Sequence, residues 1–316
     1  MATYVGVDVG KKSLNIYIAA INKNLEISNN EDGFSKLLTC LMKHYQDLSE
    51  IIVVFEPTGG YERKLREFLK SKNVHYSTVH PNKVRNYAKA RGWLAKTDNI
   101  DSKLLYEYAK NFQLQIKENY NTETQQTLHD LLKRREQLIL FRTQEITRLD
   151  TACNPMILFS LNQHIDSLTT QLKEIEANIQ NLITQDQAIK NKVDQLTSIP
   201  AVGITLATTV ICEAPELGHI EFNKLTSLIG LAPFAKESGS YKGKRRIFAG
   251  RGKLRKVLYM AAVASLRCNK PMRNFYDRLI ANHKPPKVAL VAVMRKLLAF
   301  MHSIVKHNSF WNKNLC

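Results

Sequence analysis

Residues 4–21 read YVGVDVGKKSLNIYIAAI, two apolar runs separated by the turn residues Gly10-Lys11-Lys12. The alternation within these runs predicts adjacent antiparallel strands, and the turn signal at Asn22-Lys23-Asn24 extends them into a β-meander. The apolar segments at residues 51–55 and 74–79 are two further strand candidates. The amino-terminal region is therefore predicted to contain a sheet of five strands.

Segments with helical periodicity lie before, between and after these two later strands. Apolar residues spaced by three and four mark helices at residues 34–45, 61–70, 82–90 and 100–111. The resulting order βββαβαβαα predicts an α/β domain with a mixed sheet, which we assign to residues 1–120.

Residues 161–196 follow a sustained heptad pattern, in which seam residues recur at steps of four and three. The seam consists of Leu161, Ile165, Leu168, Leu172, Ile175, Ile179, Leu182, Asp186, Ile189, Val193 and Leu196. A weaker stripe runs upstream through Leu128, Leu132, Arg135, Ile139, Arg142, Ile146 and Leu149, and Asn154-Pro155 separates the two. The pattern predicts an antiparallel helical coiled-coil arm at residues 121–196, which serves either as a spacer or as an oligomerisation element.

Positive charge is concentrated in the remaining region, residues 197–316, which we predict to be a mainly α-helical basic domain. The chain of 316 residues has a formal net charge of +18, with 46 Lys and Arg against 28 Asp and Glu. Between Lys236 and Lys313 there are 19 Lys or Arg and two acids, which accounts for +17 of that total. Such a concentration of positive charge is typical of a nucleic-acid-binding face, because Lys and Arg that contact phosphates release condensed counterions. The alternative is a basic surface that only keeps the protein soluble.

Cysteine usage and hydropathy exclude several other classes of protein. The five cysteines are far apart and form no CxxC pair, so neither a disulfide framework nor a zinc site is indicated. The amino terminus lacks the pattern of a signal peptide, and the apolar run at residues 288–294 is too short to span a membrane. We expect a cytoplasmic protein with no membrane partner.

Four carboxylates lie on separate strands and on one helix of the predicted α/β domain. Asp8 lies within an apolar strand, Glu56 follows a strand, and Asp98 and Asp101 share one face of a helix that Thr97 can cap. Carboxylates that converge above a sheet can hold Mg²⁺ or Mn²⁺, and two ions about 4 Å apart would activate an attacking oxygen and stabilise a leaving one. The alternative is that Asp98 caps the helix and Asp101 is solvated, whereas Asp8 among valines needs a cation or hydrogen bonds.

The strand and turn Gly6-Val7-Asp8-Val9-Gly10 are found in two classes of enzyme, sugar kinases with other actin-like ATPases, and RNase H-like nucleases. A kinase requires a second glycine-rich phosphate loop and an adenosine site later in the chain. Here the later half is a helical arm and a basic domain, which favours the nucleases.

A series of short motifs runs in order over nearly the whole chain. They are Val5-Gly-Val-Asp8-Val-Gly, Glu56-Pro-Thr-Gly-Gly-Tyr61, Pro81-Asn-Lys-Val-Arg85, Ala95-Lys-Thr-Asp98-Asn-Ile-Asp101-Ser, Ile199-Pro-Ala-Val-Gly203, Gly230-Leu-Ala-Pro233 and Glu237-Ser238-Gly239-Ser-Tyr-Lys-Gly-Lys-Arg-Arg246-Ile. The ordered set resembles the DEDD transposases of bacterial insertion sequences. That family is related to the Piv-type DNA invertases and includes bridge-RNA-guided recombinases.

The resemblance implies a RuvC-like, that is RNase H-like, domain in which Asp8, Glu56, Asp98 and Asp101 hold the metal ions. It also implies that Ser238, before Gly239, is the nucleophile of strand exchange through a phosphoserine intermediate, and Ser240 is the alternative serine. The partners it implies are donor and target DNA and a structured guide RNA, with a homodimer or homotetramer that brings several active sites together. The resemblance also implies a bacterial protein that is associated with the nucleoid. Ser102 departs from the alanine more frequent in the family, and its hydroxyl can hydrogen-bond Asp101.

Basic residues after Ser238 are the candidate contacts to nucleic-acid phosphates. They surround Gly243, Gly250 and Gly252 and comprise Lys242, Lys244, Arg245, Arg246, Arg251, Lys253, Arg255 and Lys256. The turn at residues 198–203 resembles a helix-hairpin-helix turn, whose amides can meet a DNA phosphate, and a plain helix connection is the alternative. Two other functions stay open: a metal-dependent, structure-specific DNA endonuclease of the RuvC type that uses water, and a nucleic-acid-binding protein without catalysis.

Overall fold

The computed structural model describes residues 3–93, 98–114, 122–234, 237–238, 241–243 and 246–312, with the backbone alone at residues 98–99, 237–238 and 241–242. The chain divides into two compact units, Met1–Glu118 and Asn119–Cys316. The predicted arm and basic domain fall into the same unit, and their separation into two domains stays a prediction.

The amino-terminal unit is built on a five-stranded mixed sheet. Its strands are β1 (Thr3–Val9), β2 (Ser13–Ile18), β3 (Lys23–Ser28), β4 (Ile51–Phe55) and β5 (His75–Thr78), in the spatial order β3-β2-β1-β4-β5. The first three pair antiparallel, and β1, β4 and β5 run parallel, so the predicted mixed sheet is confirmed. The second strand ends at Ile18 rather than Ile21, because a 3₁₀ turn at Ala19–Ile21 leads into Asn22, whose φ of 47° is left-handed.

Helices cover both faces of this sheet. They are α1 (Glu31–His44), α2 (Arg63–Ser71), α3 (Pro81–Ala90) and α4 (Asp98–Phe112), which complete the predicted order of elements. Val5 packs in a core with α1 and α2, whereas Tyr4 packs in a second core with Val84 of α3 and Leu105 of α4. Successive residues of a strand face opposite sides, so Gly6 and Asp8 lie on the face that α3 and α4 cover.

Gly6 allows α4 to lie directly against β1. A Cβ atom at this position would overlap the carbonyl oxygen of Ser102 and lie 2.7 Å from the backbone nitrogen of Tyr106. Ser102 is fully buried, so only a small side chain fits there. This close contact fixes the position of the first turns of α4 relative to Asp8.

The carboxyl-terminal unit is mainly helical in its described part, as predicted. Its helices are α5 (Glu123–Leu149), α6 (Pro155–Gln185), α7 (Gln187–Thr197), α8 (Ile204–Glu213), α9 (Phe222–Ile229), α10 (Gly252–Cys268), α11 (Lys270–Ala281) and α12 (Pro286–Lys306). Between α9 and α10 lie two pairs of short strands, β6 (Pro233–Phe234) with β9 (Arg246–Ile247), and β7 (Glu237–Ser238) with β8 (Tyr241–Lys242).

The long helices α5 and α6 pack on each other along their length, with Leu138, Leu168 and Leu172 buried between them. The predicted stripe on α5 is wrong at Ile146, which is 43% exposed, because Glu145 takes the buried position beside it. Burial of Glu145 is tolerated since its Oε1 accepts a hydrogen bond from Arg148 at 2.8 Å and lies 3.1 Å from Nδ1 of His164. Coiled-coil geometry of this pair stays a prediction.

The predicted seam along residues 161–196 is interrupted at Asp186, which separates α6 from α7. Its carboxylate accepts hydrogen bonds from the backbone N–H groups of Ala188 and Ile189, both at 3.1 Å. Asp is favoured at this capping position because its oxygen satisfies donors that the first helical turn leaves unpaired. Heptad spacing missed the break because the apolar residues on either side keep their step across it.

The main core of this unit joins the start of α5 and the end of α6 to the helices that follow, through Leu128, Leu132, Ile179 and Ile183. Among the described helices, α12 is the one long and apolar enough to span a membrane by length and composition. Its inward residues, including Val293, Leu297 and Met301, are buried in this core, which is the setting of a core helix.

Candidate active site

Asp8 and Glu56 lie side by side at one edge of the sheet. In the parallel pair of β1 and β4, Val7 is opposite Phe55, and the next residues along the two strands are Asp8 and Glu56. On the other side of β1, Asp8 is opposite Asn15, a buried amide. Open α/β sheets hold their ligands at the carboxyl ends of parallel strands, which is where these two acids stand.

A third carboxylate comes from α4, which begins at Asp98 as predicted. Asp101 follows one turn into this helix and lines the same pocket as Asp8 and Glu56. The Asp98 side chain and the predicted capping residue Thr97 lie outside what the structure describes. Three of the four predicted metal ligands are thus brought together.

The pocket has a volume of about 520 Å³, which is within the range of small-ligand sites. Its walls are chemically mixed, since its lining also includes Thr58, Trp93 and the α3 cations Arg85 and Lys89. The hydroxyl oxygen of Thr58 is buried and has no hydrogen-bond partner among the described residues. The site therefore combines carboxylates, cations and an aromatic ring.

Carboxylate oxygens are hard ligands, so the chemistry of Asp8, Glu56 and Asp101 fits Mg²⁺ or Mn²⁺. Among the side chains that the structure describes, no three acidic, histidine or cysteine residues are spaced closely enough to hold one ion.

The loop after Glu56 is held by a carboxylate that no sequence motif marked as functional. The Oε2 atom of Glu62 accepts hydrogen bonds from the backbone N–H groups of Thr58, at 3.1 Å, and Gly60, at 3.0 Å. Gly59 and Gly60 have φ angles of 69° and 111°, which glycine adopts without strain. A Gly-Gly pair followed by a carboxylate is the sequence signal that could have identified this turn.

Asn29 connects the two segments that carry the sheet carboxylates. Its Nδ2 donates hydrogen bonds to the carbonyl oxygens of Gly10, at 2.9 Å, and Tyr61, at 3.1 Å. Gly10 follows the strand that contains Asp8, and Tyr61 belongs to the loop after Glu56. No sequence pattern marks Asn29, because both of its partners are backbone groups.

Ser238 lies in the short strand β7, where it is opposite Tyr241 of β8. Its side chain, and the whole of Ser240, lie outside the described residues. The choice between these serines as nucleophile therefore stays a prediction.

The segment that bears these serines is closed at its base by two glycines in contact. Gly230 and Gly250 have φ angles of 79° and 74°, and a Cβ atom on Gly250 would overlap the backbone nitrogen of Gly230. The Arg255 guanidinium donates hydrogen bonds to the carbonyl oxygens of Ile229, at 3.1 Å, and Ala249. These contacts hold the two ends of the segment together.

Two further cations near the start of α10 are paired with carboxylates of the same unit. Arg251 donates two hydrogen bonds to the Glu216 carboxylate, at 2.7 and 2.6 Å. Lys253 Nζ lies 3.1 Å from Glu213 and 3.5 Å from Glu136. With Arg255, three of the predicted phosphate contacts are thus engaged within the protein.

The other predicted phosphate contacts divide into two groups. Arg246 and Lys256 are exposed. The side chains of Lys242, Lys244 and Arg245 lie outside the part of the chain that the structure describes.

Glu213, at the end of α8, is the centre of an ion network. Its Oε1 atom lies 3.3 Å from Nε2 of His129, which joins α5 to the network, and Lys253 joins α10. The hydrogen bond from His129 and the ammonium of Lys253 lower the pKa of Glu213 to about 2, although burial opposes the shift. Burial raises the pKa of the neighbouring Cys212 thiol to about 12, so this thiol is inert at neutral pH.

Two family models match this chain. A model described as a DEDD transposase of the IS110 type matches residues 5–154, and one described as the transposase IS116/IS110/IS902 family matches residues 193–277. The chain belongs to the IS110 family of transposases. The resemblance noted from the motifs is therefore confirmed, and the two matched ranges include the four predicted metal ligands and Ser238.

Similar proteins include the pilin gene-inverting protein of Moraxella bovis, which is 28% identical over 99% of this chain and 98% of that protein. The pilin gene-inverting protein of Moraxella lacunata is 27% identical with the same coverage. An uncharacterised 43.6 kDa protein of the insertion element IS110 from Streptomyces coelicolor is 25% identical over 51% of this chain and 39% of that protein.

The family and these relatives indicate that this IS110-family protein is a DNA transposase or recombinase enzyme. Its mixed α/β unit and mainly helical remainder are consistent with an RNase H-like DEDD transposase. The predicted cytoplasmic location is consistent with a protein that acts on DNA.

Proposed function

We propose that this protein is an insertion-sequence transposase that cuts and rejoins DNA at the pocket containing Asp8, Glu56 and Asp101. The observation that carries the proposal is the arrangement of these carboxylates, from two parallel strands and one helix, around one pocket. Asp98 stands one turn before Asp101 in the same helix and completes a set of four. The gene-inverting relatives support DNA rearrangement, and the insertion-element relative supports transposition.

The chain's own residues prepare this pocket for a metal-dependent reaction. Mg²⁺ or Mn²⁺ held by the carboxylates would supply positive charge at the reacting phosphate. Glu62 and Asn29 fix the segments next to Glu56 and Asp8, and Gly6 lets α4 carry Asp101 to the sheet. Such rigidity lowers the barrier, because the charges need little reorganisation during the reaction.

Ser238 is the proposed nucleophile. Its hydroxyl oxygen attacks a DNA phosphodiester, a serine–phosphate bond forms, and the serine proton is balanced by protonation of the leaving strand hydroxyl. A hydroxyl of another strand then attacks the phosphoserine, which restores a phosphodiester and releases the serine. Since one phosphate ester replaces another at each step, no nucleotide cofactor is needed.

The serine step is tested by trapping the protein on DNA that carries the element's own ends. We expect wild type and Ser240→Ala to form a denaturation-resistant protein–DNA adduct, and Ser238→Ala to form none. Adduct loss in Ser240→Ala alone would move the role to Ser240. Cleavage without any adduct would favour the endonuclease that uses water, and DNA binding without cleavage would favour the non-catalytic protein.

A structured guide RNA is proposed as the source of target choice. The family resemblance and the basic region support it, because base pairing can select a site that the protein contacts only through nucleic-acid backbones. RNA that co-purifies with the protein should map to the flanks of its gene, and its digestion should stop recombination. Recombination by RNA-free protein would contradict this proposal.

A homodimer or homotetramer is proposed because strand exchange requires several active sites. Large apolar side chains are exposed where α5 ends and α6 begins, namely Leu140, Phe141, Ile146, Met156, Ile157 and Phe159. A second copy that covers this surface would remove it from water. By light scattering we expect Ile157→Glu with Phe159→Glu to lower the mass to one chain. Asn178→Glu, a control at an exposed site farther along α6, should leave the mass unchanged. A wild-type monomer would contradict the proposal.

A further inference from the structure

The α3 side of the carboxylate pocket is basic. Arg85 and Lys89 are exposed residues one helical turn apart, and both line the pocket that contains Asp8, Glu56 and Asp101. Within the described part of the chain, neither side chain makes a hydrogen bond or an ion pair. This arrangement contrasts with Arg251 and Lys253, whose charges are paired internally.

Cations that have no partner among the described residues, and that lie beside a carboxylate site, suit a polyanionic ligand that extends past the reacting phosphate. Carboxylates and their metal can hold one phosphate of a strand, and the phosphates on either side still carry their charge. Positions four apart on a helix are separated by about 6 Å along its axis, and a duplex strand rises about 3.4 Å per nucleotide. Arg85 and Lys89 are therefore far enough apart to contact different phosphates of one strand.

Trp93 adds an aromatic surface to the same wall. Its backbone N–H donates a hydrogen bond to the carbonyl oxygen of Ala88 at 2.9 Å, and Gly92 has a φ of 73°, so the chain turns back at the end of α3. The Arg91 guanidinium lies 5.8 Å from the centroid of the Trp93 ring and pairs with Glu107 of α4 at 3.8 Å. The ring is thus supported at a pocket edge, where an unpaired base can stack on it.

We propose that Arg85, Lys89 and Trp93, the α3 wall, bind the DNA strand beside the phosphate that is cut. Arg85 and Lys89 contact the neighbouring phosphates, and Trp93 stacks on an unpaired base of that strand. The inference rests on the proposed function of the pocket and adds to it a surface that the basic carboxyl-terminal region does not contain. Net charge does not mark this wall, because acids balance the cations in the rest of the chain, whereas residues 236–313 hold +17 of the total +18.

The phosphate contacts are tested by the salt dependence of binding to an oligonucleotide that carries the element's end, with the full-length protein and no divalent metal. Arg85→Gln with Lys89→Gln should reduce the slope of log affinity against log salt by about 1.4–1.8, the value for two phosphate contacts. The matched control is Lys36→Gln with Lys43→Gln on α1, two exposed lysines on the other face of the sheet, which should leave the slope unchanged. An equal change in both double variants, or none in either, would overturn the proposal.

The stacking contact is tested with 2-aminopurine placed in turn at each nucleotide near the cut. Wild type should quench its fluorescence at one or two positions, Trp93→Phe should preserve the quenching, and Trp93→Ala should abolish it. Quenching that is the same in Trp93→Ala would overturn this part. A loss of affinity for the element's RNA, with DNA affinity unchanged, would overturn the assignment to DNA and give the wall to RNA.

Junction sequencing of Asp8→Asn, together with DNA binding by the α3 wall variants, separates this proposal from the proposed function. If Asp8→Asn loses recombination while the α3 wall variants bind DNA as wild type does, the wall is wrong and the active site stands. If Asp8→Asn still recombines, the proposed function itself is wrong.

Discussion

Two groups of cations, one in each unit, have similar sequence character and different surroundings. Arg85 and Lys89 on α3 are exposed at the carboxylate pocket and have no ion-pair partner among the described residues. Arg251 and Lys253 at the start of α10 are largely covered and bound to carboxylates of their own unit. The difference teaches that local charge density does not identify the cations that meet a ligand, since part of a basic cluster can serve to hold the fold.

The comparison predicts two kinds of effect. Substitutions at the carboxylate pocket should lower strand-exchange activity, whereas substitutions of the paired residues near α10 should lower the free energy of unfolding. Glu56→Gln should lower strand-exchange yield by about 10³-fold, because it removes a charge from the proposed metal-binding set. Its free energy of unfolding should change by less than about 1 kcal/mol, since the acid is only partly buried at a sheet edge. Junction sequencing and denaturant unfolding measure the two effects, and a large loss of stability would break the distinction.

Glu213 should make the stability of the carboxyl-terminal unit depend on pH. Its pKa is lowered from 4.5 to about 2, so the stabilisation is complete above pH 4.5 and is lost as pH falls from there through 2. The contribution is at most about 3 kcal/mol. Urea unfolding from about pH 6 to about pH 2.5 covers most of this window. Over that range the free energy of unfolding should fall less steeply in Glu213→Gln than in wild type.

Glu221→Gln is the matched control for this pH dependence, because its carboxylate is 74% exposed. Its unfolding curve should follow that of wild type at every pH. A wild-type slope retained in Glu213→Gln would show that other acids cause the dependence.

Glu216→Gln should destabilise the protein by about 1–3 kcal/mol, because Arg251 would lose a two-point, partly buried ionic contact. Chemical unfolding measures this change. Affinity for DNA under conditions where the variant is fully folded should stay within about twofold of wild type. A folded variant with strongly reduced DNA affinity would instead place Arg251 at the nucleic acid.

Arg246→Gln should give the smallest effect and sharpen the comparison inside the basic region. This residue is exposed, so its loss should reduce the salt slope by about 0.7–0.9 without changing the unfolding midpoint. Arg255→Gln should do the opposite, since it removes hydrogen bonds to backbone carbonyls of the serine-bearing segment. Equal binding defects in both variants would contradict the separation of roles.

Local patterns predicted the sheet and its helices, and the resemblance of the motifs implied the three carboxylates that line one pocket. Alternation and 3.6-residue periodicity gave the order of elements, and the parallel pairing of β1 with β4 then brings Asp8 and Glu56 to one edge. Thr97 before Asp98 is a helix-capping signal, so the sequence also predicted where the helix that contains Asp101 begins.

Long-range partners were not predictable from the same patterns. Glu216 lies 35 residues before Arg251, and nothing in either segment shows that the two side chains meet. Asn29 donates hydrogen bonds to backbone carbonyl oxygens. Every residue has such an oxygen, so no sequence pattern indicates these contacts. The heptad reading failed at Asp186 and Ile146 because it assigns positions by spacing, whereas a helix cap and a hydrogen-bonded buried acid override spacing.

The most direct test of the carboxylate pocket is the recovery of strand-exchange junctions from cells that carry the gene with its native flanks. Wild type should yield junctions, and so should Asp166→Asn, which makes the same chemical change at an exposed site on α6. Asp8→Asn, present at the same protein level, should yield none. Junctions from Asp8→Asn at the wild-type frequency would contradict the account.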